Sequence, residues 1–167
     1  AGSEFLINTY TDGDQSNPSV SSLADGGFVV TWQSYEQDGS NWGSYGQRFD
    51  SNGSKAGSEF LINTHTERDQ YNSSVSSLAD GGFVVTWQSQ EQDGFDWGSY
   101  GQRFSSDGSK AGSEFLINTH TFSDQTNPSV SSLADGGFVV TWQSYQDGSG
   151  SGIYGQRFDS NGTKASS

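Results

Sequence analysis

Three stretches of this chain carry the same hydrogen-bonding set. Asp14, Gln15 and Asn17, then Asp69, Gln70 and Asn72, then Asp124, Gln125 and Asn127 each spell Asp-Gln-x-Asn. Carboxylates and amides of this kind pair with sugar hydroxyls, the carboxylate as acceptor and the amide as both donor and acceptor. The same residue types also close turns through Asx hydrogen bonds, and that is the readier reading of them. Trp42 and Trp97 fall in a second set of loops. An exposed indole there can stack on the apolar face of a sugar ring; folded back over the rim of a sheet, it is packing alone. If the chain binds anything, these residues nominate a carbohydrate.

Metal and catalysis find less support. Asp38, Asp93 and Asp147 stand in QDG loops, and Asp96 adds a carboxylate in the middle copy. Calcium takes 6–8 oxygen ligands, so one or two carboxylates per loop make only weak calcium candidates. Asp25, Asp80 and Asp135, in ADGG, are expected to serve turns. His65 and His120 are the only histidines, and no nucleophile–base pair or nucleotide loop accompanies them. The expected function is therefore not enzymatic. Arg48, Arg103 and Arg157 recur between Gln and Phe, and each is expected to form a structural ion pair, with Glu59 or Glu114 as candidate partners across a hairpin.

Composition narrows the partners. Acidic residues outnumber basic ones 20 to 7 and the net charge is −13. That field repels phosphate backbones, so nucleic acid is not an expected partner. There is no Cys, hence no disulfide and no thiolate site. No apolar run approaches the roughly 20 residues of a membrane helix, so no membrane insertion is expected. There is no Met either, so the chain reads as a processed, excised or engineered piece of something longer. The aromatic fraction of 14%, gathered in runs such as FVVTW, argues against disorder.

The elements that must position these residues come from a repeat. Copies run over 1–55, 56–110 and 111–164, in one repeat domain spanning 1–167. Substitutions between the first two copies, among them Tyr10/His65, Ser16/Tyr71 and Tyr35/Gln90, fall in loops or at strand ends. Each copy holds four strand candidates with turn residues between them. In the first copy these are 18–23 (PSVSSL), 28–34 (FVVTWQS) and 44–50 (SYGQRFD), followed by 59–64 (EFLINT), which opens the next copy by letter count. The second strand is apolar without strict alternation, which predicts burial on both faces between stacked sheets. The first is rich in Ser, which suits a crowded position near an axis.

Four antiparallel strands per repeat describe a β-propeller blade, or one lobe of a single-chain β-trefoil. The doubly buried strand and the offset of EFLINT favour the propeller. The segments LADGGFVVTWQS and GIYGQRFDSNG resemble blade-like repeats found in tandem in very large secreted or surface proteins of bacteria. The resemblance implies an extracellular or cell-surface parent and no particular activity.

The expected fold is thus all-β: three four-stranded antiparallel blades. Propellers have typically 4–8 blades, so the ring is expected to close by oligomerisation. Two chains give six blades, the favoured homodimer, and three give nine in a homotrimer. The strands expected to clasp are the first EFLINT, with Glu4, Phe5, Leu6 and Ile7, and the last IYGQRF, with Ile153, Tyr154, Gln156 and Phe158. Two functions follow: a structural self-assembling module without catalytic activity, or a glycan-binding module using the long-loop face, formed by the loops after the second and fourth strands, 35–43 and 10–17 in the first copy.

Overall fold

A computed structural model describes residues 2–165. Among them there are eleven strands and no helix, and hence no helix long and apolar enough to cross a membrane. The first sheet runs β1 (Gln15–Ser22), β2 (Phe28–Tyr35), β3 (Trp42–Phe49) and β4 (Phe60–Leu61). The second runs β5 (Gln70–Ser77), β6 (Phe83–Gln90), β7 (Trp97–Phe104) and β8 (Lys110–Leu116). The third holds β9 (Gln125–Ser132), β10 (Phe138–Ser144) and β11 (Gly152–Phe158). Strands pair antiparallel in chain order within each sheet, which is the meander of a propeller blade. Two blades therefore have four strands and the third has three.

The doubly buried second strand is present where a neighbour covers it. All eight residues of β6 but the last are buried. In β10 burial alternates, because the third blade has a neighbour on one face only. Between the first two blades Val29, Val75, Phe83, Val85, Trp87 and Phe104 form one core. Leu78, Val84, Val130, Phe138, Val140 and Phe158 repeat it at the next junction.

The serines of the first strand have a specific task. Inner strands of neighbouring blades do not pair by backbone, so their outward N–H groups need other acceptors. Ser19 and Ser21 Oγ accept from the Val75 and Ser77 amides at 3.4 and 3.0 Å. Ser74 and Ser76 do the same for Val130 and Ser132, at 3.2 and 3.0 Å.

Boundaries depart from the sequence expectation in several places. β1 starts at Gln15, three residues early, because a bulge between Ser16 and Ser19 lets pairing continue past Asn17, whose φ is +51°. β3 starts at Trp42 rather than at 44. The fourth strand in the first sheet is only Phe60–Leu61, though the Ile62 amide still donates to the Ser44 carbonyl at 2.8 Å. The first EFLINT is not in a strand at all. Its side chains nonetheless dock as in the other copies: Phe5 meets Phe49 at 5.7 Å, as Phe60 meets Phe104 and Phe115 meets Phe158 at 5.4 Å.

The arginine partners are also corrected. Arg48 and Arg103 reach Asp25 and Asp80 of the ADGG turns at 3.3 and 3.0 Å, and Arg157 pairs with Asp135. Register explains it: Arg48 lies opposite Val29, next to the turn that carries Asp25. Arg103 also donates to the Asn161 carbonyl of the following blade at 3.1 Å. The aspartates serve the turn as well, since Asp25 Oδ1 accepts from the Gly27 amide at 2.9 Å.

That turn is closed against the third strand. A Cβ placed on Gly27, Gly82 or Gly137 would lie 2.2, 2.2 or 2.4 Å from the Phe49, Phe104 or Phe158 carbonyl oxygen. Backbone cannot yield there, so Gly82→Ala is expected to cost about 1–3 kcal/mol, the usual range for forced overpacking. Denaturant titration at unchanged m checks it; an unchanged midpoint would contradict the close approach.

Candidate functional site

The three Asp-Gln-x-Asn sets are placed within the scaffold, at the inner strands. Asn17 donates to Asn72 Oδ1 at 3.1 Å and Asn72 to Asn127 Oδ1 at 2.9 Å, an amide ladder running across all three blades. Gln33 and Gln88 tie into it, accepting from the Asn72 and Asn127 amides. Gln70 and Gln125 are fully buried and brace their loops, donating to the Glu67 carbonyl and to the Phe122 and Ser123 carbonyls. Gln15 does the same with the Asp12 carbonyl at 2.9 Å. The backbone carbonyls of Asp14 and Asp69 accept from Tyr35 and Gln90, and Asp69 Oδ1 accepts from the Trp42 amide at 3.3 Å.

Asp124 is different. Its Oδ1 is buried without a partner, and burial pushes its carboxyl above the usual range, with the charge of Asp96 adding to the effect. Trp42 and Trp97 are half-buried at strand starts, tilted against Tyr35 at 5.3 Å and Tyr71 at 4.9 Å. Phe95 and Phe122, both exposed, meet on the long-loop side at 5.1 Å.

The QDG aspartates close their own loops. Oδ1 of Asp38, Asp93 and Asp147 accepts from the amides of Ser40, Phe95 and Ser149 at 3.0–3.2 Å. Among the described residues no three His, Cys, Asp or Glu side chains gather in a way that could hold a metal ion.

A repeated cleft on the blade rims was not legible in the sequence. Between the first two copies it has a volume of about 580 Å³ and is lined by Thr9, Tyr10, Gln37, Gln47, Lys55 and Glu59. Its equivalent, about 500 Å³, uses Thr64, His65, Gln92, Gln102, Lys110 and Glu114. A third, of about 570 Å³, has Thr119, His120, Gln146 and Gln156, with Trp142 and Tyr154 open to it. The carboxylate of Glu59 spans the first cleft, accepting from the Thr9 amide at 2.6 Å and from Gln37 Nε2 at 2.5 Å. Glu114 repeats both bonds with Thr64 and Gln92. Lys55 donates to Thr9 Oγ1 at 2.8 Å and Lys110 to Thr64 Oγ1 at 3.1 Å. Burial lowers the Lys110 pKa, against an opposing effect of Glu114.

At the floor lie acceptors without donors. Gln47 is fully buried, and its Nε2 donates to the carbonyls of Arg48 and Gly57 at 2.9 and 3.0 Å. Those two bonds fix the amide orientation and leave Oε1 with no partner; Gln102 is held in the same way. Gln37 and Gln92 Oε1 are buried and unpartnered too. A buried acceptor left open costs free energy, on the order of 1–3 kcal/mol. The clefts thus offer acceptors and one ring, Tyr10, His65 or His120, at a position that varies between copies.

No protein-family model matches this sequence, and no curated protein does. Solved structures share its shape. A Hadza microbial sialidase aligns at TM-score 0.62 and 12% identity over 90% of this chain and 36% of its own. An endo-arabinase from Bacteroides thetaiotaomicron aligns at TM-score 0.59 and 15% identity, over 96% of this chain and 64% of its own. A protein of unknown function from Dyadobacter fermentans aligns at TM-score 0.62 and 14% identity, over 89% and 52%. The chain thus spans between about a third and two thirds of the length of these structures. At such identities the likeness shows the fold, a set of propeller-like blades.

The raised Asp124 carboxyl has a stability consequence. Its folded pKa lies above the unfolded one, so its contribution is present at low pH and is lost as pH rises through the folded value. Asp124→Asn removes that loss. The thermal midpoint is expected to rise at about pH 7 and to change little at about pH 3, where the carboxyl is protonated in both states. A lower midpoint at neutral pH would contradict the burial of an unpartnered charge.

Proposed function

We propose that this chain is a non-catalytic, glycan-binding repeat module whose ligand seats in the rim clefts. One observation carries the reading: open polar clefts recur at equivalent places on the rim, each walled by Thr, Gln, Lys and Glu groups and one Tyr or His ring. A sugar answers this lining, because its hydroxyls pair with the Thr, Lys and Glu groups around the cleft while its C–H face lies on the Tyr or His ring. Lys and Glu already occupy each other's neighbourhood through Thr, which suits a neutral polyol better than an anion. The named activities of the sialidase and the endo-arabinase concern glycans, but at this identity they lend no residue to the argument. Repetition adds avidity, since several weak clefts on one rigid body bind a polyvalent glycan surface far better than one.

A structural, self-assembling module is the second reading, favoured by the outer edge of β11, which beyond the Phe158–Lys164 bridge has no partner strand among the described residues. The two are compatible, and they separate by experiment. On a glycan array the triple variant Tyr10→Ala, His65→Ala, His120→Ala is expected to lose binding tenfold or more, about 1.4 kcal/mol. Trp42→Ala with Trp97→Ala is expected to retain it. Loss in the tryptophan variant alone would move the site to the long-loop face, and silence of the unmodified chain across the array would leave the structural reading.

A further inference from the structure

We infer that the two open faces of the blade stack are the two halves of one interface, filled by a second copy of this chain in head-to-tail order. The inference stands whether or not a sugar occupies the clefts. The exit face is the outer face of the third blade. Val29, Thr31 and Gln33 in the first blade, and Val84, Thr86 and Gln88 in the second, are buried by the blade that follows. Their equivalents Val139, Thr141 and Gln143 are half-buried or exposed. The entry face belongs to the first blade: Val20 is 66% exposed, whereas Val75 and Val130 are 7% and 8% exposed under the preceding blade. Each open face therefore carries the residues that already pack against the other type of face at both internal junctions. No other partner chemistry matches both faces so closely.

Backbone needs agree. β3 and β7 each pair outward with a fourth strand, in register Tyr45↔Leu61 and Tyr100↔Leu116. Beyond the Phe158–Lys164 bridge β11 has no such partner among the described residues, and the first EFLINT has no strand to pair with. The shared register sets Tyr154 opposite Leu6 of a second copy and Gly155 opposite Phe5 of a second copy.

A knob and a hole complete the match. At the internal junctions Ser44 and Ser99 Oγ donate to the Gln70 and Gln125 carbonyls, at 3.3 and 3.1 Å. The third copy has Ile153 at that position, 73% exposed. By equivalence it faces Gln15 of a second copy. Gln15 lines a cleft of about 280 Å³ on the entry face, walled by Leu6, Ile7, Pro18, Val30 and Trp32. An aliphatic side chain exposed on one face thus meets an apolar cleft on the other.

The partner also completes a site. The third rim cleft has Thr119 and Gln146 but no carboxylate of the kind that Glu59 and Glu114 place in the other two. Glu4 of a second copy stands at that repeat position. It would accept from the Thr119 amide and from Gln146 Nε2, as Glu59 does from Thr9 and Gln37.

Light scattering tests the assembly. The expected mass is two or three times the 17.9 kDa of the chain. Ile153→Lys, which alters an exposed residue and leaves the blades intact, is expected to return it to one chain. A mixture of Leu6→Cys and Tyr154→Cys chains, in a protein with no other cysteine, is expected to yield a disulfide-linked pair under oxidation. A mass of one chain at all concentrations overturns the inference. So does a multimer indifferent to Ile153→Lys that forms no such cross-link.

Discussion

Everything in this fold depends on laying one sheet on the next. A single blade is not stable by itself, because its middle strand is apolar on both faces: Val84 and Thr86 point one way, Phe83, Val85 and Trp87 the other, and all five are buried. Stacking buries both faces at once. It also sets the inner strands side by side without a backbone ladder between them. That leaves N–H groups that only small hydroxyl side chains can reach, which is why the first strand of every copy is written in Ser. The Asn17–Asn72–Asn127 ladder and the bond from Arg103 to the next blade are further consequences of the same contact.

Much of this was legible in letters. FVVTWQS, with no polar alternation, announced a strand covered on both sides, and β6 is that strand. ADGG announced a tight turn, and Gly82 sits where no Cβ fits. Asp-Gln-x-Asn looked like a loop, yet a bulge carries the strand through it, so Gln70 and Asn72 became parts of the frame. Bulges arise from a mismatch between strands and leave no mark in one strand's sequence.

The rim clefts were illegible for a related reason. Thr9, Gln37, Gln47 and Glu59 are each unremarkable, and only the stacking of blades gathers them. Glu59 was expected to hold Arg48; the hairpin register gives that arginine to Asp25 and frees the carboxylate for Thr9 and Gln37, the former belonging to the previous fourth-strand segment. One signal did exist. Tyr10, His65 and His120 vary at one position between otherwise close copies, and that position lies on the cleft wall. The net charge of −13 bears on assembly in the opposite sense to packing: it opposes approach of two copies at long range, so the contact must come from the short-range match of apolar faces.

Amide hydrogen exchange tests the central claim, that blade stacking is the organising contact and that open faces close upon each other. The amides to compare are those of β6, β11 and residues 4–9. If the account is right, β6 exchanges slowest, and β11 and residues 4–9 gain protection together as concentration rises, approaching that of β7 and β8. Free exchange of residues 4–9 and the outer edge of β11, in a sample whose β6 is fully protected at every concentration, would contradict it.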